Sequence, residues 1–476
     1  MDLEAFLSAN KSIIIAPAGY GKTYTIAEAI SSYKGDKKVL VLTHTHAGIA
    51  SLREKFEQKG LVPSTYHLDT ICSFALDLTK TYHVHKNEIP NESDANALFD
   101  YVVEHATRIL KANPIKHLLS ITYEHLIVDE YQDCTLAQHQ MVLELAQTLK
   151  THLLGDPLQG IFGFRRQQIV DFNADSFSPF LQNCQLLETP WRWKNAGQDA
   201  LGQDLARIRE KLLAGEDINL EEYHSINWIQ GAVDDYAKPQ TNVRNALFQE
   251  LNQGAVVIHP NSSSVEPRKS IVIHYPMLQL IESIDGKEYY SCCQQFDSHS
   301  GQALIKDISD MMRKMCNKSC INSWIKPDGT LKNKRRQDDQ ATKSKLESAI
   351  NHLLKEKSSL NIANLIVAIA RLPGIVIYRK EFIRDIYHTL IDANKLGLTA
   401  SEAIVRNRNI LRRKGRKIMQ KSIGTTLLTK GLEFDKVVIL NAQQFNDPRH
   451  FYVALTRCCE KLVVISNTAV LHPYNQ

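Results

Sequence analysis

Short apolar runs bounded by polar residues recur along the chain and cluster near both of its ends. Runs of this length that are rich in Ile, Val and Leu are typical of buried parallel strands. Helical patterns lie between them, for example over residues 23–33 and 138–149. The alternation predicts an α/β fold with parallel sheets. The predicted strands are Ser12–Ile15, Val39–Leu42, Leu126–Val128, His152–Leu154, Val437–Leu440 and Leu462–Ile465.

Two longer stretches interrupt this alternation. Residues 60–120 are helix-like and poor in strand patterns, and residues 300–420 are helical and carry charge-rich pieces. We interpret both as mainly helical insertions into two α/β cores. The predicted domains are a first core at 1–60 and 121–195 with an insertion at 61–120, and a second core at 196–298 and 421–476 with a basic insertion at 299–420.

Composition and charge narrow the class of protein. The chain has 476 residues, 43% of them hydrophobic, which is enough to bury several domain cores. Its net charge of +5 fits a polyanionic partner without requiring one. The nine cysteines are odd in number and scattered, and no run approaches the roughly 18 apolar residues of a membrane span. We therefore predict a cytoplasmic protein with no signal peptide and no membrane partner.

Four of the cysteines lie close together in the sequence. Cys292 and Cys293 are adjacent, and Cys316 and Cys320 follow with His299 between the pairs. The set allows a zinc or iron–sulfur site, although its spacing matches no common metal signature. Adjacent cysteines would also point to opposite sides of an extended strand. Ordinary buried thiols are the favoured interpretation.

The first predicted strand leads directly into a phosphate-loop pattern. Glycines at positions 19 and 21 allow backbone N–H groups to turn toward phosphates at the start of a helix. Lys22 would reach the β and γ phosphates of a nucleotide, and the hydroxyl of Thr23 would bind magnesium. A chance Gly-Lys-Thr at a helix start is the alternative. The candidate nucleotide-binding residues of this loop are Ala16, Pro17, Ala18, Gly19, Tyr20, Gly21, Lys22 and Thr23.

Two adjacent carboxylates follow another apolar strand. Asp129 and Glu130 come directly after the run that ends at Val128. Phosphate-loop enzymes place a magnesium-holding Asp and a water-activating base at such a position. Acidic residues at strand ends are also common as solvated caps, so the pair gains its meaning from the loop. We predict that Asp129 holds the metal and that Glu130 orients or deprotonates the attacking water.

Further motifs follow in a fixed order, and together they resemble the UvrD/Rep/PcrA-like superfamily 1A DNA helicases. The loop form Ala-x-Ala-Gly-x-Gly-Lys-Thr is similar to that family's Walker motif, although a strict Walker loop begins with glycine where this chain has Ala16. The resemblance implies two RecA-like P-loop domains with ATP and Mg²⁺ between them. The other matching segments are Asp129–Gln132, Leu154–Arg165, Leu187–Arg192, Thr429–Phe434 and Phe451–Arg457.

The resemblance also implies roles for residues of the nucleotide site. Gln159 would sense the γ-phosphate, and Glu433 would contact the ribose side. Arg192 and Arg457 would reach the site from the second core. Guanidinium groups can stabilise the charge that phosphoryl transfer gathers, although an isolated surface ion pair is the default for any single arginine. The predicted catalytic set is Lys22, Glu130, Gln159, Arg192 and Arg457.

Single-stranded DNA, or DNA with single-stranded tails, is the partner that the resemblance implies. Phe162 and Phe164 stand where the family stacks aromatic rings on bases, and Arg165 follows them. Stacking tolerates any sequence because every base has a π-face. Two phenylalanines around a glycine are also plausible core residues. Thr65 and His67 lie in a weaker match, where small hydroxyl groups touch phosphates.

A basic stretch over residues 406–421 leaves two alternatives open. Its eight Lys and Arg residues could bind DNA phosphates with an affinity that falls as salt rises. A charge run is equally typical of a solvated face. The eight residues are Arg406, Arg408, Arg412, Arg413, Lys414, Arg416, Lys417 and Lys421.

These observations lead to three hypotheses. The first is an ATP-dependent DNA helicase or translocase that moves 3′ to 5′, a polarity that rests on the resemblance. The second is a DNA-sensing regulatory ATPase that works with a separate nuclease, because the chain is shorter than typical family members. A compact chain of this size also resembles the helicase component of Gabija-type antiphage defence. The third, a decayed site that binds nucleotide structurally, is disfavoured because the catalytic set is present.

Overall fold

The computed structural model describes residues 2–82, 89–90, 95–162, 168–284, 286–414 and 418–474. The chain folds into two compact units. Unit 1 comprises Met1–Val233 and Thr425–Gln476, and unit 2 comprises Asp234–Gly424. The four domain ranges predicted from the sequence remain a prediction.

The described residues of the first part of unit 1 form six strands and nine α-helices. The strands are β1 (Lys11–Ile15), β2 (Lys38–Thr43), β3 (Tyr66–Thr70), β4 (Tyr123–Val128), β5 (Lys150–Gly155) and β6 (Cys184–Leu186). The helices are α1 (Leu3–Ser8), α2 (Lys22–Ser32), α3 (His46–Gln58), α4 (Ile71–Tyr82), α5 (Ala95–Ile109), α6 (Asn113–Thr122), α7 (Leu136–Leu145), α8 (Ser178–Leu181) and α9 (Trp191–Asn195).

These six strands form one parallel sheet in the order β3-β2-β4-β5-β1-β6. In the interior strand β1, Ile13 and Ile14 are fully buried although they point in opposite directions. Such two-sided burial requires helices on both faces of the sheet. Because the strands are parallel, the loops after β1, β4 and β5 all leave from the same edge, where ligands bind in open α/β sheets.

Eight strands and twelve α-helices complete the described chain. The strands are β7 (Ile218–Asn219), β8 (Ile226–Gln230), β9 (Val256–Ile258), β10 (Gln279–Leu280), β11 (Ser422–Gly424), β12 (Phe434–Ile439), β13 (Cys458–Ser466) and β14 (Val470–Leu471). The helices are α10 (Asp199–Ala214), α11 (Asn242–Asn252), α12 (Glu266–His274), α13 (Lys287–Ser298), α14 (Gly301–Met315), α15 (Lys318–Trp324), α16 (Gln337–Lys355), α17 (Ser359–Ala370), α18 (Lys380–Leu396), α19 (Ala400–Lys414), α20 (Thr426–Thr429) and α21 (Pro448–Leu455).

Unit 1 contains a second set of parallel strands. In it β13 pairs in parallel with β12 on one side and with β8 on the other. The short strands β7 and β14 form a separate antiparallel pair. Helix α21 lies between β12 and β13 in the chain and buries Phe451, Tyr452 and Leu455. The C-terminal segment therefore brings a further α/β layer into the same unit as the phosphate loop.

Unit 2 combines three short parallel strands, in the order β10-β11-β9, with a large helical part. The helical part has its own apolar core, built from α13 to α19, in which residues such as Ile308, Ile366 and Ile386 are fully buried. This agrees with the helical insertion predicted around residues 300–420. In the part of the chain that the structure describes, no helix has the length and apolar content to cross a membrane.

The α/β class and the parallel strands are confirmed, and each of the six predicted strands coincides with an observed one to within a few residues. The interpretation of residues 60–120 as strand-poor missed β3. The four cysteines are free thiols, and Cys292 and Cys293 lie on helix α13 rather than on an extended strand. Among the described residues, no group of three or more His, Cys, Asp or Glu side chains is arranged to hold a metal.

Candidate active site

The phosphate loop connects the carboxyl end of β1 to the start of α2. The backbone N–H of Ala16 donates to the carbonyl of Gly155 at 2.9 Å, which ties the loop to the end of β5. Gly19 and Gly21 have φ angles of +79° and +85°, in the left-handed region that glycine adopts without strain. Gly21 caps α2, and no side chain of the described residues accepts a hydrogen bond at this cap. The loop thus presents uncapped donors and the positive end of a helix dipole.

The loop also needs glycine because helix α9 approaches it closely. A Cβ atom on Gly19 would lie 2.9 Å from the Cβ of Arg192, and one on Gly21 would lie 3.1 Å from the ring of Trp191. The N–H of Arg192 donates to the carbonyl of Gly19 at 2.9 Å. From the C-terminal segment, the Tyr452 hydroxyl accepts a hydrogen bond from the N–H of Ala18 at 3.3 Å. Ala16, Pro17, Ala18 and Tyr20 are buried.

The predicted lysine and the two predicted carboxylates meet at the start of α2. The Nζ of Lys22 lies 2.5 Å from Oε1 of Glu130 and 3.4 Å from Oδ1 of Asp129. Both carboxylates follow the carboxyl end of β4, as the sequence predicts. Glu130 has a φ of +54°, an unusual conformation for a residue with a side chain and one that clusters at functional sites.

Burial and charge act in opposite directions on this cluster. Burial alone would lower the pKa of Lys22, but Asp129 and Glu130 raise it above its usual value. Burial raises the pKa of Asp129, and Lys22 only partly offsets this effect. For Glu130 the attraction of Lys22 and Lys430 outweighs burial and lowers the pKa. Glu130 is therefore an ionised carboxylate at neutral pH, the form that a base requires.

The donor atoms beside Lys22 fit magnesium. Oδ1 of Asp129 is buried and accepts no hydrogen bond within the described chain, and its ion-pair partner Lys22 lies 3.4 Å away. Thr23 is half-buried in the first turn of α2, directly after Lys22. A carboxylate and a hydroxyl are hard oxygen ligands of the kind that Mg²⁺ takes beside phosphates. Asp129 and Thr23 would hold the ion, which supplies neutralising charge to the β and γ phosphates when bound.

Gln159 lies in a network that continues from the carboxylates. Its Nε2 donates to Oδ2 of Asp156 at 3.2 Å. Gln132 accepts from the N–H of Asp156 at 3.0 Å and donates to Glu130. Asp156 also forms a buried ion pair with Arg209 on α10, at 3.0 Å. The predicted γ-phosphate sensor is thus linked by hydrogen bonds to the predicted base, and Arg209 is an additional member that no sequence motif indicated.

The contacts of the predicted arginines are with a carboxylate and with backbone carbonyls. Arg192 pairs with Glu433, and Arg457 binds the backbone. Arg192 contacts Oε1 of Glu433 at 2.5 Å and also donates to the carbonyl of Thr456. Arg457 is buried and donates to the carbonyls of Val453 and Leu432 at 3.0 and 3.1 Å. Burial and the nearby Arg192 lower the pKa of Arg457 to about 10. Arg192 packs against the loop at Gly19, yet neither arginine donates a hydrogen bond to Asp129 or Glu130 in the described structure.

Lys430 is a functional candidate that the sequence reasoning did not single out, although it lies in the fifth motif. Its Nζ contacts both carboxylate oxygens of Asp133, at 2.5 and 2.6 Å, and the carbonyl of Gln159 at 2.5 Å. It also lies 4.3 Å from the ring centre of Phe162. Burial lowers the pKa of Lys430, while Asp133 and Glu130 oppose this effect. The position of Lys430 inside a motif could have marked it as a candidate. The sequence does not show which residues it contacts.

The predicted DNA contacts are only partly described. Phe162 is 36% exposed, which leaves ring surface for stacking. Phe164 and Arg165 lie outside the described residues. Thr65 directly precedes β3 and His67 is its second residue, whereas the loop and the carboxylates follow the carboxyl ends of β1 and β4. The structure therefore does not bring these two residues to the edge that holds the nucleotide site.

Two hydroxyl groups lie at the other end of β3. Thr70 is the last residue of the strand, and its hydroxyl donates to that of Ser73 at 2.8 Å. Because all strands of the sheet are parallel, these hydroxyls share the edge of the phosphate loop. Recognising residues 66–70 as a parallel strand would have placed Thr70 and Ser73 at this edge. The sequence pattern did not indicate that strand.

The basic stretch does not form one exposed face. Arg408 is 2% exposed, lies 3.6 Å from the ring centre of Tyr289 and pairs with Asp385 at 3.1 Å. Neither alternative for the stretch, phosphate binding or a solvated face, describes this residue. Arg416 and Lys417 lie outside the described residues, and so do the side chains of Arg413 and Lys414.

Comparisons with known proteins give one family profile and several similarities over parts of the chain. Residues 3–165 match the family profile of an AAA domain. A 138-residue stretch is 29% identical to an ATP-dependent helicase/nuclease subunit of Streptococcus agalactiae serotype Ia, covering 29% of this chain and 11% of that protein. A stretch of 95 residues is 34% identical to the exonuclease/helicase subunit RexA of Lactococcus lactis subsp. cremoris, covering 19% and 7%. A stretch of 86 residues is 31% identical to the RecBCD enzyme subunit RecB of Buchnera aphidicola, covering 18% and 7%.

The chain spans no more than 11% of the length of these three relatives. Two of these relatives are named as helicase subunits, and the matched stretches cover 29% and 19% of this chain. The profile match covers the segment that carries the phosphate loop and the two carboxylates.

Proposed function

We propose that this protein is an ATP-dependent DNA helicase or translocase that moves 3′ to 5′ on single-stranded DNA. The observation that carries the proposal is the cluster of Lys22 with Asp129 and Glu130, 2.5 to 3.4 Å apart at the start of a helix. Cationic residues from distant parts of the chain, among them Arg192 and Lys430, lie around this cluster in the same unit. The sequence similarities to helicase subunits support it.

The chemistry follows from the charges. The uncapped N–H groups of the loop bind phosphate oxygens, and Lys22 turns from the carboxylates to the β and γ phosphates. Glu130 accepts a proton from the water that attacks the γ-phosphorus. The bond between the γ-phosphorus and the oxygen that bridges it to the β-phosphate breaks, and ADP leaves with that oxygen. Arg192 and Arg457 stabilise the charge that gathers in the transition state, once they leave Glu433 and the backbone carbonyls.

The motor function needs a contact with DNA that changes during this cycle. Phe162 is exposed and lies three residues after Gln159, so a movement at the γ-phosphate sensor reaches the ring over a short path. Stacking on a base is independent of sequence, which suits movement along any strand. The 3′ to 5′ direction comes from the family resemblance.

The first experiment measures ATP hydrolysis with and without a single-stranded oligonucleotide. We expect stimulation by DNA, and no hydrolysis by the Lys22→Ala variant in either condition. A wild-type rate that does not respond to DNA would sink the proposal. The second experiment compares unwinding of duplexes with a 3′ or a 5′ single-stranded tail. Preference for the 5′ tail would overturn the direction alone.

A second candidate function is a regulatory ATPase that senses DNA and controls a separate nuclease. The names of the relatives, which are subunits of helicase/nuclease enzymes, favour it. A Gabija-type antiphage system would be one such assembly. Strong unwinding by the isolated chain would speak against this candidate. Stimulated ATP hydrolysis without unwinding, together with co-purification of a nuclease, would support it.

A further inference from the structure

Lys430 occupies the space between the carboxylates of the nucleotide site and the exposed ring of Phe162. Its ammonium group contacts the Asp133 carboxylate and the Gln159 carbonyl, and it lies over the face of Phe162 at 4.3 Å. The Lys430 side chain is only 6% exposed. A buried ammonium cannot exchange these partners for water, so its position is set by the three groups together.

The same ammonium group acts on the catalytic carboxylate. The charge of Lys22 lowers the pKa of Glu130, and the charge of Lys430 lowers it further. When Lys22 turns to phosphates, Lys430 remains as a cation that attracts Glu130. A change at the nucleotide therefore alters the forces on Lys430, and Lys430 in turn touches the ring that faces DNA.

We propose that Lys430 is a positioning residue that couples DNA binding to the nucleotide site by fixing the orientation of Phe162. The proposal rests on the function proposed above. Cation–π attraction holds the Phe162 ring against the ammonium, and the exposed part of the ring is left for a base. The contact with the Gln159 carbonyl fixes the same short segment at its other end. Together these contacts give the segment one orientation instead of several.

The test removes both charges of the buried pair, because loss of Lys430 alone would leave Asp133 buried without a partner. The variant is Lys430→Met with Asp133→Asn, made in the wild-type background and in a Phe162→Leu background. The measurement is the concentration of single-stranded oligonucleotide that gives half-maximal stimulation of ATP hydrolysis. A thermal melt checks folding, and Lys430→Arg serves as the conservative variant that keeps the cation.

In the wild-type background we expect the half-maximal DNA concentration to rise about thirtyfold, the size of one desolvated cation–π contact. In the Phe162→Leu background the same change should raise it by less than about twofold, because a cycle of neighbouring residues is not additive. Lys430→Arg keeps the cation, so its half-maximal DNA concentration should stay close to that of the wild type. A purely structural role for Lys430 would shift the melt without making the DNA response depend on Phe162.

A matched control exists elsewhere in unit 1. Lys59 also lies 4.3 Å from an aromatic ring centre, that of Tyr24, and pairs with Glu28, but at the surface. Lys59→Met should leave the half-maximal DNA concentration unchanged. An equal rise in both Phe162 backgrounds, or no rise in either, would overturn the role of Lys430 while wild-type stimulation by DNA upholds the proposed function. If the wild type shows no stimulation, the proposed function fails and this inference falls with it.

Discussion

Arg209 donates from Nη2 to Oδ1 of Asp156 at 3.0 Å, and the carboxylate of Asp156 is fully buried. The same carboxylate accepts hydrogen bonds from the Leu158 N–H and from the side chain of Gln159. The ion pair therefore fixes the segment that carries the predicted γ-phosphate sensor. It connects this segment to helix α10, which belongs to no recognised motif.

Replacing Arg209 by Met should destabilise unit 1 strongly. The substitution leaves the Asp156 charge buried without its partner, which typically costs about 3–5 kcal/mol. Urea denaturation followed by circular dichroism measures the loss. Arg207→Met is the control, because Arg207 lies on the same helix and pairs with Asp204 but is 60% exposed. Asp204 keeps its hydrogen bonds from the N–H and hydroxyl of Ser225, so the loss of Arg207 should cost much less than the loss of Arg209. Equal losses for the two variants would contradict this account.

Gly19→Ala should reduce ATP binding. A left-handed backbone conformation costs an alanine residue about 1–2 kcal/mol of folding free energy. In addition, the new Cβ atom would lie 2.9 Å from the Cβ of Arg192. Gly215→Ala is the control, because Gly215 has a φ of +75° and no described atom lies within 4 Å of an added Cβ. Both variants should lose stability through the backbone conformation, and Gly19→Ala should lose more because of the contact with Arg192. Only Gly19→Ala should weaken nucleotide binding measured by titration calorimetry, and equal binding by the two would refute the steric argument.

Glu130→Gln should slow hydrolysis while nucleotide binding remains. An amide cannot accept the proton of the attacking water, and general-base catalysis contributes about 10²- to 10⁴-fold. The measurement is kcat for ATP in the presence of saturating single-stranded DNA. Glu124→Gln serves as the control, because Glu124 lies at the start of β4 and bonds to Tyr33 and Lys150, away from the phosphate loop. A kcat for Glu130→Gln close to that of the wild type would exclude it as the base.

The sequence was sufficient to locate those parts of the fold that depend on local pattern. Buried parallel strands are continuous apolar runs, so β1, β2, β4 and β5 were found at their positions. Strand β3 was missed because its sequence, Tyr-His-Leu-Asp-Thr, has the polarity of a loop. Its place at one edge of the sheet allows polar side chains, a property of topology that local sequence does not carry.

The candidate site shows the same division. Lys22, Asp129 and Glu130 follow strand ends and could be assigned from position alone. The partners of Lys430 could not, since Asp133 is 297 residues away in the chain. Arg408 shows the opposite error, because a run of charges indicates solvent or phosphate, yet the structure buries this guanidinium over Tyr289. The environments of Lys430 and Arg408 both depend on partners that are distant in the sequence.

The stability of unit 1 should fall in acid because of two buried histidines. The ring of His152 forms hydrogen bonds of 2.7 Å with Ser12 and 2.9 Å with His125, in a chain across three neighbouring strands. Burial lowers the pKa of His152 to about 3 and that of His125 to about 4, below the usual 6.5. The unfolded chain therefore binds more protons than the folded one between pH 6.5 and 4. As the pH is lowered through this range, the free energy of unfolding decreases by up to about 1.4 kcal/mol per pH unit for each histidine.

Replacing His152 by Leu tests which groups titrate. The substitution should cost about 1–3 kcal/mol at pH 7.5, because Ser12 and His125 lose a partner. It should also make the decline in acid shallower, since one of the two buried imidazoles is gone. Urea midpoints measured across the acid range test both effects, with the exposed His472 replaced by Leu as the control. A slope for His152→Leu as steep as that of the wild type would show that His152 is not one of the groups that titrate.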